Sequence, residues 1–451
     1  MTSETNTIVR EKSTTRKFIL FALPKYSNSI VMGFADLALA TLYILAYQLP
    51  PFLVGLALGL GKITIAISQF FFGWISDAKY TRLGRRKPYI ILLAPILGIS
   101  FILLLLPSML IDITNIEALF IWLLVIYQFF NMSYAITTPF NAWMVEQFSV
   151  EERPKAAQIQ TAFDILGVAT ISVFSLIIMT DFISKVRENP EILPPSFFYS
   201  VIAFGIMVIV VFYLVCFLMP TEPHFKIEST IFQYLKVVLK NKKFIAVIGM
   251  IGIASLGWVQ VSSLVLLFIE VVLKFEFTTY IMASVVFILG IILFLYMWRT
   301  FIKKFGKKRT LMYDLIAAVI FLPFTLIGLI PMQSTLIYGI IFVLGIAAIY
   351  SGWQILQYIM IPDISEDDEK ATGELKAGTY KGIPSIPLNF FQAIGLIIMG
   401  SILELPEISV GSSSFSIGYV LWGPICSAIL LITLFYAKKY ITLDFEWEKK
   451  D

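Results

Sequence analysis

Asp77-Ala-Lys-Tyr-Thr-Arg-Leu-Gly-Arg-Arg-Lys87 is a strongly basic stretch, and Pro88-Tyr89 leads from it directly into Ile90-Ile-Leu-Leu-Ala-Pro-Ile-Leu-Gly-Ile-Ser-Phe-Ile-Leu-Leu-Leu-Leu106. The second segment is a charge-free apolar run of the length that about 30 Å of hydrocarbon demands of a helix. The first is the kind of loop that stays on the cytoplasmic side of a membrane. Other apolar runs of the same length follow along the chain, for example 197–219. The chain has 451 residues, 58% of them hydrophobic and only 14% charged. So little charge cannot cover the surface of a soluble domain of this size.

Working outward from that loop, spans are expected near 26–48, 52–75, 89–111, 118–144, 158–180 and 197–219. A second set is expected near 244–272, 278–298, 310–331, 335–361, 382–402 and 415–437. Taken with both ends inside, nearly all Lys and Arg fall in cytoplasmic segments. Only Lys185, Arg187 and Lys274 fall in external loops, while Lys25 and Lys62 lie at or within spans. This asymmetry fits the positive-inside rule and an even number of crossings. The polar N-terminus lacks a small-residue cleavage site after a short apolar core, so it reads as a retained tail and not a signal peptide.

The loop at 77–87 has a counterpart in Arg299-Thr-Phe-Ile-Lys-Lys-Phe-Gly-Lys-Lys-Arg309. Both are short basic turns with a glycine at the matching place. The expected architecture is therefore an all-α integral membrane protein of 12 transmembrane helices, in two pseudo-symmetric six-helix bundles around a central cavity. Its parts would be a tail at 1–25, a first bundle at 26–219, a linker at 220–243, a second bundle at 244–437 and a tail at 438–451. Two halves that rock about a midplane site are the architecture of secondary transporters.

Composition narrows the function. Cys216 and Cys426 both sit in apolar runs, and His224 is the single histidine, so neither a disulfide framework nor a transition-metal site is expected. Net charge of +4 is explained by the membrane loops and gives no reason to expect a nucleic-acid partner. There is no Gly-x-Ser-x-Gly and no phosphate loop; Gly61-Lys62 is followed by Ile63 in mid-membrane. An enzyme or primary pump is not expected, and no cofactor is implied.

Gly73-Trp-Ile-Ser-Asp77 with Arg82-Leu-Gly-Arg-Arg-Lys-Pro88 closely resembles the signature of the loop between helices 2 and 3 in the major facilitator superfamily. In particular it resembles the glycoside–pentoside–hexuronide:cation symporters, the melibiose permease and sucrose carrier group. The resemblance extends to Pro139-Phe-Asn-Ala-Trp-Met-Val-Glu146 with Glu152-Arg153, and to Pro362-Asp-Ile-Ser-Glu-Asp-Asp-Glu369 with Thr372-Gly373. It implies a charge latch in which Gly73, Asp77, Arg82, Gly84, Arg85, Arg86, Glu146 and Arg153 take part. Gly84 would form the tight turn. A solvated basic loop that only sets topology is the simpler alternative.

The family's cation site does not carry over. Sodium-coupled members place two aspartates on helix 2, where this chain has Ile65 and Gln69. The helix 4 acid matches Thr137, and the basic residues of helices 5 and 11 match Thr161 and Asn389. Other charges lie within the membrane instead. Asp36 is roughly 15 Å into the first span and Lys62 roughly 16 Å into the second from the opposite side, while Asp164 is about 10 Å into the fifth. Buried charges pair or face a cavity, so Lys62 is expected to pair with Asp36, Asp164 or both. The group is either a proton or substrate switch or a static tie between helices.

Polar stripes point to a lined cavity. They comprise Ser29, Asp36, Tyr43 and Tyr47; Lys62, Ile65 and Gln69; Tyr127, Asn131, Tyr134 and Thr138; Ser255, Trp258 and Ser262; Tyr350, Trp353, Gln354 and Gln357; and Ser385, Asn389 and Gln392. Aromatic faces can stack on a sugar ring while amides bond its hydroxyls; helix–helix hydrogen bonding is the competing reading. Glu270 and Lys274, one helical turn apart, read as a surface pair. The expected function is secondary transport of a small polar solute, a sugar or glycoside, with H⁺ as the coupling ion or as a uniporter. The 39 Phe leave an amphiphile carrier open, and a transporter-like sensor is a further alternative. The expected setting is the lipid bilayer of the cell membrane, multi-pass, as a monomer with both termini cytoplasmic.

Overall fold

The structure is a computed structural model that describes residues 13–149, 152–189, 192–221, 240–331, 335–372, 383–411 and 413–443. Most of the expected 220–243 linker, including His224, lies outside the described residues, as do Gly373 and much of both tails.

Among the described residues, twelve helices are long and apolar enough to cross a membrane. We number them α1 (Thr15–Leu37), α2 (Pro51–Ser76), α3 (Lys87–Leu105), α4 (Ile116–Met144), α5 (Lys155–Arg187), α6 (Pro195–Leu218), α7 (Lys242–Leu273), α8 (Thr278–Phe305), α9 (Lys307–Leu329), α10 (Leu336–Asp368), α11 (Ser385–Leu403) and α12 (Gly418–Tyr440). α1 begins well before the expected residue 26. Thr14 caps it by accepting from the Lys17 amide, and Arg16, Lys17 and Lys25 ride on its first turns. Asn115 and Asn241 cap α4 and α7 in the same way. Prolines open α2, α3 and α6, where no amide proton is needed.

Within the first half, α1 packs on α5 and α6, α2 on α4, and α3 on α4 and α6. In the second half α7 packs on α11 and α12, α8 on α10, and α9 on α10 and α12. These are two six-helix bundles. They meet where α2 lies against α11, α1 against α7 and α5 against α8. With an even number of crossings, Thr15 and Tyr440 lie at one face, here the terminal face; the opposite one is the far face.

The far ends of α2 and α11 touch backbone to backbone. A side chain at Gly55 would stand 2.4 Å from the Leu396 carbonyl oxygen, and one at Gly400 2.6 Å from that of Pro51. Only glycine permits such an approach between helices. The Phe52 amide also donates to Glu404 Oε1 at 3.0 Å. The far face further carries a hairpin absent from the expected topology, β1 (Glu407–Val410) antiparallel to β2 (Ser413–Ser416), turned at Gly411 with φ 60°. Three π-helical turns, Leu42–Ala46, Ser175–Met179 and Ile269–Leu273, interrupt the ladders of α1, α5 and α7 or extend them. Such turns re-aim the residues that follow and are common at functional positions.

Candidate functional site between the bundles

Lys62 Nζ lies 2.6 Å from Asp36 Oδ1. The lysine side chain is 3% exposed and the aspartate 37%. The charge pair therefore opens on the aspartate side, with the lysine as its buried anchor. A lysine at this depth is costly without a counter-charge, and Asp36 supplies it. Asp164 does not share Lys62. Ser29 Oγ on α1 donates to its Oδ1, and Tyr358 Oη on α10 donates to Oδ2 at 3.2 Å. That tyrosine belongs to the other bundle. A second link between bundles runs from Ser263 Oγ on α7 to the Asp36 carbonyl at 3.3 Å. Ser29 and Asp36 are two helical turns, about 10 Å, apart on α1, so Asp164 is held nearer the terminal face than the Asp36–Lys62 pair.

The second bundle contributes an aromatic wall. Trp258 and Trp353 stack with ring centroids 5.9 Å apart, and Tyr350 meets Trp258 edge-on at 6.4 Å. Gln354 Nε2 donates to Tyr350 Oη at 2.5 Å. The Trp258 indole nitrogen is buried with no hydrogen-bond partner in the structure. A buried donor without a partner is expensive, and a bound solute is one way to satisfy it.

Other residues of the expected stripes serve packing. Tyr43 and Tyr47 do not line a cavity. Both are buried inside the first bundle, where their hydroxyls donate to the α3 carbonyls of Leu104 and Leu105. Asn131 is fully buried and donates to the Tyr127 carbonyl of its own helix. It sits where Gly61 lets α2 approach α4, since a side chain at Gly61 would run into Tyr127 and Asn131. Asn389 likewise donates to the Ser385 carbonyl one turn earlier. Gln357 is half-buried on α10. Gln69 Nε2 donates to Thr137 Oγ1 at 3.4 Å. Two of the three positions where the resemblance places acids are therefore joined by a neutral bond.

Glu270 and Lys274 do not form the expected surface pair. The π-turn at Ile269–Leu273 ends α7, and Lys274 itself has φ 48°, so the one-turn spacing of an α-helix is lost. Glu270 instead accepts from Tyr280 Oη and lies 3.9 Å from Arg187 Nη1 of the first bundle.

At the terminal face the basic loop folds back on its own bundle. Arg85 and Arg86 both pair with Glu146, just past α4, and Arg86 Nη1 donates to Ser76 Oγ at 2.7 Å. Gly84 has φ 95°, a conformation that favours glycine. Arg82 is exposed, Gly73 packs against Thr138, and Arg153 lies two residues before α5. The side chain of Asp77 lies outside the described residues. The second bundle repeats the arrangement. Gly306 has φ 82°, and the next residue, Lys307, pairs with Asp363 at 2.6 Å. Gly306 and Lys307 match Gly84 and Arg85 when the two loops are aligned. Lys243 reaches Asp367 on the same acidic segment, also at 2.6 Å.

Among the described residues, twelve spanning helices form two bundles, with charged and aromatic groups lying between them. The chain belongs to the MFS/sugar transport protein family, whose profile matches residues 20–437. Among curated proteins it is similar to the sodium-dependent lysophosphatidylcholine symporter 1 of Xenopus tropicalis, at 25% identity over 357 residues. The same symporter of Gallus gallus matches at 24% over 354 residues. Each match spans 71% of this chain and 65% of the relative, so the chain accounts for just under two thirds of the relatives' length. Among solved structures, the D-xylose–proton symporter superposes with a TM-score of 0.63 at 13% identity, covering 95% of this chain and 97% of that one. A bacterial homolog of the human lysosomal transporter Spinster, inward-facing and occupied, gives 0.66 at 15%, covering 96% and 98%. At these identities the structures establish the shared fold.

Sequence reasoning paired Lys62 with Asp36, as the structure does, and set Trp258 and Trp353 on stripes of separate helices without foreseeing that they stack on each other. It missed Tyr358, which directly follows Gln357 on a stripe already recognised, and the far-face pair Arg187–Glu270. Tyr358 could have been reached by asking which phenol on the other half lies at the depth of Asp164.

Proposed function

We propose that this protein carries a small hydroxyl-rich solute, a sugar or glycoside, by alternating access coupled to H⁺. The observation that carries the reading is the bond from Tyr358 of one bundle to Asp164 of the other, with the Asp36–Lys62 pair two helical turns further along α1. A proton or solute arriving at Asp164 competes directly with that bond. Occupancy of the site is thereby tied to the relation of the two bundles, which is what coupling requires. The stacked Trp258–Trp353 face suits the C–H face of a sugar ring, and the Gln354 amide and the Trp258 N–H suit its hydroxyls. Asp36, Lys62, Asp164, Trp258, Trp353 and Gln354 form this site; Gln69, Asn131, Gln357 and Asn389 shape its walls.

The relatives named above are sodium-dependent. Here Ile65 and the Gln69–Thr137 bond stand where carboxylates would hold that ion, and a hard cation wants charged oxygen ligands. This favours H⁺. The names of the relatives also support a second reading, an amphiphile such as a lysophospholipid, with its headgroup at the Asp36–Lys62 pair. We further infer that the terminal face is cytoplasmic in the cell membrane, from the distribution of Lys and Arg, and that the monomer is the working unit.

The test is uptake by proteoliposomes of radiolabelled sugars and glycosides, and of labelled lysophosphatidylcholine, under an imposed pH gradient and separately under a Na⁺ gradient. Sugar accumulation driven by the pH gradient and abolished in Asp164→Asn is the expected result. Lysolipid movement without sugar movement supports the second reading, and absence of any flux supports a sensor.

A further inference from the structure

Asp314 lies on α9, seven residues and roughly 10 Å in from Lys307 at the terminal face. It is fully buried, and neither carboxyl oxygen has a hydrogen-bond partner in the structure. Among the described residues, no other carboxyl group leaves both oxygens buried and unpartnered. The pocket is formed by α8 and α10: a side chain at Gly352 would run into Asp314 Oδ1 and the ring of Trp298. The Trp298 indole nitrogen donates elsewhere, to the Ala348 carbonyl at 2.8 Å. The packed elements bring titratable groups close to the terminal face, and each points elsewhere. Arg299, Lys303 and Lys304 of α8 are exposed, as are Lys438 and Lys439 of α12, while Tyr436 of α12 is half-buried toward Gly249. On α10, Asp363 is paired with Lys307 of α9 itself, and Tyr350 and Tyr358 are bonded to Gln354 and Asp164. On α9, Lys308 and Arg309 lie in the first turn and Tyr313 is exposed. Among the described residues, none of these groups bonds to Asp314.

A carboxylate enclosed without a donor or a counter-charge is far costlier than the neutral acid, and such a group takes up a proton instead. The pocket therefore holds a carboxylic acid. The acid is no remnant of the repeat: with the two basic loops aligned as above, Asp314 matches Leu92, an exposed apolar residue of α3. Its place also connects it to the aromatic wall. Gly352 directly precedes Trp353, and the same turn of α10 carries Tyr350 and Gln354. We propose that Asp314 is a proton-binding site separate from Asp164, and that its bound proton lets α10 pack against α8 and α9 with Trp353 set to stack on Trp258. Without the proton, a charge stands against the Trp298 ring and the α10 backbone with no donor to meet it. The packing then gives way, and the aromatic wall moves with α10. The proton site follows from the packing alone; the importance of the wall rests on the reading of the solute site given above.

The experiment uses the full-length protein and no solute. In infrared spectra near neutral pH, a protonated-carboxyl C=O band is expected in wild type that is lost in Asp314→Asn and kept in Asp164→Asn. Thermal unfolding gives a second readout. The aspartate of the unfolded chain is ionised above about pH 4, so folding takes up a proton and alkaline conditions oppose it. Relative to Asp314→Asn, wild type is expected to lose several degrees of melting temperature between about pH 5 and about pH 8. An unchanged band in Asp314→Asn, or melting profiles that run parallel, overturns the proton site. Should Asp314→Asn fail to fold, Asp314→Leu, which installs the side chain of the matching Leu92, gives both readouts. The link to the wall is read from the exciton signal of the stacked indoles in circular dichroism, identified as the part lost in Trp353→Phe. It is expected to fall by at least half as pH rises in wild type and to stay constant in Asp314→Asn. An exciton signal indifferent to pH in wild type overturns the link to the wall. A failure of sugar uptake in the transport assay leaves all three readouts standing, so the two proposals fail separately.

Discussion

Lys62 shows how one residue sets its own test. Its ammonium is almost fully enclosed, and Asp36 is its counter-charge. Replacing one partner of a buried pair leaves a charge stranded, at about 3–5 kcal/mol when both are enclosed. Because Asp36 is partly exposed, Lys62→Met is expected to cost about 2 kcal/mol. The double variant Lys62→Met with Asp36→Asn is expected to recover most of the lost melting temperature in detergent, while transport stays abolished. If the pair were only a tie between helices, the double variant would transport. Glu152, outside the spans, offers a different kind of test. Partial burial opposes its charge, but donors from the Ser13 amide and hydroxyl and the Ser149 amide, with Lys17 nearby, outweigh it. Its carboxyl is held below the ordinary value. A carboxyl with a lowered folded pKa stabilises the fold above its unfolded value, about 4.3, and loses that contribution as pH falls through the folded one. The melting gap between wild type and Glu152→Gln is therefore expected to be constant above about pH 5 and to close on acidification.

At the scale of elements, the decisive contacts are those between α2 and α11. A methyl group at Gly55 or Gly400 would meet backbone atoms, which cannot rotate away. Either Gly→Ala change is expected to spare each bundle, whose own seams are untouched, and to push the far mouth open. Spin labels at Leu110 and Leu405, exposed residues of opposite bundles, should then report a longer distance distribution than in wild type. The same level explains what could be read from the chain alone. The helices were legible because hydrocarbon imposes one length and one composition on every span. The pairing of Asp36 with Lys62 followed from depth, which is set by position along a helix. Depth is silent about rotation, so Tyr43 and Tyr47 were placed on a cavity when they hold α1 to α3. The Glu270–Lys274 spacing misled because a π-turn breaks the α-helical register on which that spacing depends. Arg187–Glu270 joins residues of different halves, and no local pattern reports such a contact.

The whole molecule is two related bundles, and the relation is uneven in a way that predicts function. Each has a glycine in the left-handed region followed by a cation that pairs with an acid near the end of its fourth helix: Arg85 and Arg86 with Glu146, Lys307 with Asp363. In the first bundle the partners are nearly enclosed, with side chains 5–11% exposed; in the second they are 16–20% exposed. An ion pair costs more to break the more fully it is enclosed. Glu146→Gln removes the carboxylate that two arginines share and is expected to cost about 2–4 kcal/mol, whereas Asp363→Asn is expected to cost about 1 kcal/mol or less. Urea or thermal unfolding of the two variants measures this directly. The asymmetry also assigns the work. If the terminal face opens and closes by breaking loop contacts, the weaker second-bundle pair is the one that cycles, and the first-bundle cluster stays intact as a rigid mount. Asp363→Asn should then change the rate of solute exchange while leaving the melting temperature nearly unmoved. Glu146→Gln should lower both, and restoring stability with a tightly bound solute should restore its rate. A rate change in Glu146→Gln that persists after its stability is restored would show instead that the first-bundle loop itself moves in the cycle.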